Sequence, residues 1–235
     1  MLELFSYGDA GWGDELVAGL WITVSLAVVT LPFGLLLGFA ATGCKLSPMK
    51  PLRFLGTAYM TVMRGTPELL TLFLVYNGLS LIVNDIWSWF YGDARPPELS
   101  PFIAGIIALS LVFGAFAGEV LRGAFQSLSV GQVEAAKTID MRPGQIFMRV
   151  KLPQMWRFAL PGLGNLWVNL LKDTSLVSVV ALDDLLRMTK IAVGSTKLPF
   201  DFYLAACLIY WALSVTSEFI QGRLERHANR GVRRA

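Results

Sequence analysis

Residues 131–153 read GQVEAAKTIDMRPGQIFMRVKLP, a polar and basic stretch set between two strongly apolar segments. Outward from it the chain is mostly apolar. Of 235 residues, 54% are hydrophobic and only 16% charged, where a soluble domain carries about 25% charged. Five apolar stretches, about 17–41, 55–83, 101–121, 158–181 and 202–222, reach the roughly 20 residues that a helix needs to cross a bilayer. The second opens with TAYMTVMRGTPE, so its first turns are expected at the interface. The expected fold is all-α: one polytopic membrane domain over 1–235, with five transmembrane helices. The loop of about 124–157 joins the third span to the fourth, and a basic tail covers about 223–235.

The basic residues orient these spans. The segments 42–53, 122–157 and 223–235 hold fourteen Lys and Arg, whereas 1–15, 83–100 and 182–201 hold four (Arg95, Arg187, Lys190 and Lys197). Five spans with that bias place the N-terminus outside and the tail and the long loop in the cytoplasm. The first 15 residues lack Lys and Arg, and the apolar run after them is too long for a cleaved signal, so none is expected. The +3 net charge is thus an orientation signal, and no nucleic-acid partner is implied.

The loop has its own helical logic. Gln132 to Lys137 are good helix formers, and Pro143 suits a first helical position, where a missing N–H costs nothing. Ile146, Phe147 and Val150 then give a basic second helix one apolar face. The expected shape is helix, turn, helix, presented to a partner or resting on the membrane alone.

Charged residues inside spans are expensive and are functional candidates. Lys172 and Asp173 fall near the middle of the fourth span. They either line a path, Asp173 meeting a cation and Lys172 a carboxylate, or lock helices and subunits together. Adjacent helical positions point about 100° apart, so the two do not share one small site easily. Arg64 and Glu68 have i,i+4 spacing around Pro67, which either bends a helix as a gate or marks a helix end. Glu119 and Arg122 read as an ion pair at the cytoplasmic end of the third span, or as part of a substrate site. Gly34 with Gly38, and Gly114 with Gly118, form small-residue faces for close helix packing. Cys44, Cys207 and the lone His227 suggest no site. No GxxxxGK[ST], HExxH, GxSxG or paired-cysteine pattern occurs, so an enzyme reading has no residues to stand on.

Several of these words occur together in one known family. The Glu134-Ala135-Ala136 triplet with Leu152-Pro153 resembles the "EAA" loop of ABC importer permeases. Arg64-Gly65-Thr66-Pro67, the run from Gly118 to Gly123, that from Leu160 to Asn165 and that from Leu171 to Ser178 are similar to words of its polar amino-acid branch. That branch serves histidine, lysine, arginine, ornithine and opines such as octopine.

The resemblance implies an inner-membrane permease moving a polar, basic amino acid or opine. Its coupling residues would be Gly131, Glu134, Ala135, Ala136, Asp140, Pro143, Leu152 and Pro153, docking into an ATPase dimer. Asn165, Lys172 and Asp173 become path candidates, and Arg64, Pro67, Glu68, Glu119 and Arg122 gating or ion-pair candidates. It further implies a second permease chain, related or identical, and a soluble extracytoplasmic amino-acid-binding protein. ATP and Mg would be used by the partner, and no cofactor is bound by this chain. An ion-gradient-driven transporter would need inverted repeats or intramembrane proton carriers, and no half-to-half repeat is visible; a scaffold without transport would tolerate loss of Lys172 and Asp173. Two departures stand out: Asp140 occupies a position that is usually glycine, and Arg142 one that is usually small. Asp visits φ > 0 at some cost, so either the turn is kept or the loop helices meet at another angle.

Overall fold

The computed structural model describes residues 2–8, 11–92 and 96–229, all helix or connection with no strand among them. Arg95, Arg230, Arg233 and Arg234, which contribute to the charge bias, lie outside the described residues, as does the end of the basic tail. A 3-10 turn (Leu2–Phe5) leads to α1 (Gly13–Lys45), α2 (Lys50–Gly65), α3 (Glu68–Tyr91) and α4 (Pro101–Gln126). The long loop follows as α5 (Val130–Thr138) and α6 (Pro143–Ile146), then a π-helical segment (Phe147–Lys151) running into α7 (Leu152–Asp173). A 3-10 segment (Thr174–Val180), α8 (Leu185–Thr196) and α9 (Pro199–Ala228) complete the chain. Among the described residues four helices, α1, α3, α4 and α9, are long and apolar enough to cross a membrane.

Three expectations need correction. The second apolar stretch is two helices, not one span: it breaks at Thr66 and Pro67, both with extended backbone. A residue before proline is pushed out of the helical region, so α2 ends at Gly65 and the crossing helix begins at Glu68 and runs on to Tyr91. The fourth stretch is helical only to Asp173 and then tightens into 3-10 form. Arg157, Asn165, Asn169, Lys172 and Asp173 make α7 too polar to count among the four apolar helices. Lys172 and Asp173 therefore sit at a helix end and not at mid-helix. The second loop helix, finally, is not separate: from Pro143 to Asp173 the chain is helical without a break.

The core is built on α1 against α4, the most extensive helix pair. Their glycine faces meet as the spacing predicts. A Cβ on Gly38 would lie 3.1 Å from the Gly118 nitrogen and 3.2 Å from the Gly114 oxygen, so the backbones approach closely enough for Thr42 Oγ1 to donate to the Gly118 carbonyl at 2.8 Å. In lipid, where apolar surface gains nothing by leaving solvent, such contact and interhelical hydrogen bonding drive association. α2 covers the same seam, Met60 lying against Gly118 and Tyr59 Oη donating to the Leu111 carbonyl at 2.7 Å. α7 packs on α4 and α9. Gly164 leaves room for Gln221, which donates to the carbonyl of Pro161, a proline inside α7. Trp21, Val28, Leu36, Leu74, Ile82, Trp211 and Phe219 point outward, an apolar girdle for lipid.

Candidate functional site

Two regions carry the candidate residues. The first is a small, partly open cleft between α3, α4 and α7, lined by Glu68, Leu109, Val112, Phe113, Phe116, Leu166, Asn169, Leu170 and Asp173. Glu68 is the first residue of α3 and Asp173 the last of α7, so two helix ends bring two carboxyl groups within interaction range in an otherwise mostly apolar wall. Two carboxylates held this close in a low-dielectric surrounding would repel strongly, so the pair either shares a proton or takes a cation between its members. Asn165, Asn169 and Asp173 recur every four residues and so stripe one face of α7. Lys172, one position away and exposed, does not line the cleft, and neither does Asn165. The sequence reading missed Glu68 as a cleft residue. It also missed Asn169, although the four-residue spacing on an apolar helix was available to find it.

The i,i+4 bridge between Arg64 and Glu68 is not formed, because the helix ends between them. Arg64 instead approaches Glu119, Nη1 to Oε1 at 3.3 Å. The expected pair of Glu119 with Arg122 is present at 2.7 Å, and Lys45 Nζ donates to both Glu119 oxygens at 3.0 and 3.1 Å. One half-buried carboxylate thus gathers three cations from the ends of α1, α2 and α4.

The second region is the loop. α5 closes in a Schellman-type turn: the Met141 N–H donates to the Ala136 carbonyl and the Asp140 N–H to the Lys137 carbonyl. Asp140 has φ 56°, so the turn is kept with an aspartate in the left-handed region. Gln145 Oε1 accepts from the Arg142 N–H at 3.0 Å. The reciprocal half of a capping box is missing, since an arginine side chain has no acceptor. Pro143 opens α6 as its first residue. Glu134 and Ala135 are exposed, Ala136 and Ile146 are buried, and Phe147 stacks on Phe125 at the end of α4. Leu152 and Pro153 form the first turn of α7.

Relieving Asp140 should be a small gain. Asp140→Gly removes the left-handed cost and returns some of it as extra freedom of the unfolded chain, leaving a net stabilisation of about 0.5 to 1 kcal/mol. Hydrogen exchange across 130–142 is expected to slow accordingly. Faster exchange would mean that the Asp140 carboxylate itself holds the turn.

Residues 30–230 match the family described as binding-protein-dependent transport system inner membrane component. The chain belongs to that family. Among relatives of this permease, the nopaline transport system permease protein NocQ of Agrobacterium fabrum is 45% identical over 232 residues, 99% of this chain and 98% of that one. The arginine ABC transporter permease protein ArtQ of Escherichia coli is 38% identical over 91% of this chain and 94% of its own length. Among solved structures, the crystal structure of an amino acid ABC transporter with histidines superposes with a TM-score of 0.78 at 30% identity, covering 92% of this permease and 95% of that chain. The all-helical permease fold and a role as a transport component of the inner membrane, not an enzyme, follow from this membership.

Proposed function

We propose that this permease carries a basic amino acid, or an opine bearing such a side chain, across the inner membrane in a complex powered by a separate ATPase. The observation that carries the cargo class is the cleft in which Glu68 and Asp173 face one another. Two carboxyl groups set in mostly apolar walls favour a guanidinium or ammonium end, and Asn169 adds a neutral polar contact. The relatives named for nopaline and arginine, and the neighbour crystallised with histidines, support the same class. α7 completes a five-span topology, with the N-terminus outside and the α5–α6 loop and tail in the cytoplasm.

Glu134 and Ala135 present the loop to an ATPase dimer that binds ATP and Mg. Asp140, Gly131, Pro143, Leu152 and Pro153 shape the loop. A second permease chain and a soluble binding protein complete the assembly, with a related rather than identical second chain preferred. Purifying this chain in mild detergent from its native membrane tests the assembly. A P-loop ATPase and a second permease are expected to come with it. A folded chain that repeatedly purifies without an ATPase would sink the reading.

A further inference from the structure

The two charged sites described above are joined by one side chain. Phe116 lines the acidic cleft, and the Arg64 guanidinium lies over its ring, 5.7 Å from the centroid. One turn further along α4 stands Glu119, 3.3 Å from Arg64 and bonded to Lys45 and Arg122. Positions 116, 119 and 122 fall on one face of α4. Along that face the environment therefore changes from two carboxyl groups, through an aromatic ring, to three cations around a single anion. Arg64 and Glu68 stand on either side of the α2–α3 break, so Thr66 and Pro67 separate the basic group from the acidic one.

We propose that Arg64 is a charge-selective barrier of the transport path, placed beyond Phe116 so that a cationic cargo held in the cleft does not pass along α4 until the helices move. The proposal rests on the cleft being the cargo site. A cation leaving the carboxyl groups meets a surplus of two positive charges within a turn of helix, partly exposed but close enough to repel it. A neutral molecule of the same shape meets only the ring. Arg64 is the member of the cluster that touches Phe116 and is also the most exposed of its three cations. Removing its charge lowers the barrier for cations and leaves the ring in place.

The test uses the complex purified with this chain, reconstituted into vesicles loaded with radiolabelled L-arginine or with L-citrulline, its neutral isostere, and no nucleotide. With Arg64→Met, release of arginine is expected to rise about tenfold over wild type, release of citrulline less than about twofold, and Arg64→Lys to behave as wild type. An equal rise for both solutes would make Arg64 a packing residue and overturn the proposal. So would no rise, or an Arg64→Lys complex that leaks like Arg64→Met. If Arg64→Met does not assemble, Lys45→Met removes another cation of the same cluster and is judged by the same ratio. Arginine binding to Glu68→Gln and Asp173→Asn variants reads the cleft separately. Unchanged binding there sinks the cargo site, whereas a normal loss of binding with a flat leak ratio sinks only the role of Arg64.

Discussion

Uptake of L-arginine by the complex is expected to fall about thirtyfold when Asp173 is replaced by Asn, and further when Glu68→Gln is added, while uptake of L-citrulline is expected to change less than about threefold. The size follows from a hydrogen bond to a charged group, worth about 2 kcal/mol, with about 1.4 kcal/mol for each factor of ten. Asp173→Asn keeps shape and one hydrogen-bonding oxygen, so the charge is what is lost. The two carboxyl groups act on one cation, and their effects are expected to be less than additive, as for any pair sharing a partner. The decisive comparison is the ratio of the two solutes in the same vesicles. Equal losses for both would assign Asp173 to holding α7 against α3 and α4.

A second large effect is expected at the loop. Ala135 is exposed on α5 beside Glu134, and Ala135→Trp places a bulky ring where close approach of another surface is needed. Overpacking a tight contact costs about 1 to 3 kcal/mol, and reversing the neighbouring charge with Glu134→Arg adds a like-charge or unpaired-charge penalty of similar size. The double variant is expected to lose the ATPase on purification and to show background uptake, with the amount of permease in the membrane unchanged. Full retention of the ATPase would show that docking uses another face.

Much of this was readable in the chain because the relevant signals are local. Apolar length placed α1, α4 and α9, and glycines four apart announced the α1–α4 seam. The departure at Asp140 pointed to the one loop residue whose backbone has φ > 0. What stayed hidden depends on distant segments or on steric detail. Arg122 was legible as the partner of Glu119 because it lies three residues away, whereas Lys45 and Arg64 arrive from other helices, 74 residues away in the case of Lys45. Glu68 and Asp173 are over a hundred positions apart, and no pattern in either segment announces that their helix ends converge. The break at Thr66 was missed because an averaged apolar window hides one extended residue before a proline. The fusion of α6 into α7 stayed hidden because the basic loop and the apolar stretch after it differ in composition and so read as separate segments. In the fold Pro153 is only the second residue of α7, and the π segment ahead of it carries the helix through.

That uncapped junction has a mechanical consequence. From Pro143 to Asp173 the backbone is one continuous rod, roughly 45 Å long at 1.5 Å per residue, anchored along its flank where Gly164 admits Gln221. Its two ends are the turn after Asp140 and the carboxyl group in the cleft. A continuous helix transmits torque: a twist applied at the loop end turns the Asn165–Asn169–Asp173 stripe in the same sense, less what the π segment and Pro161 absorb. Its phase is set by residue count alone. One residue inserted between Phe147 and Pro161 would turn the stripe about 100° out of step with the loop and leave each end locally well formed but mechanically disengaged from the other.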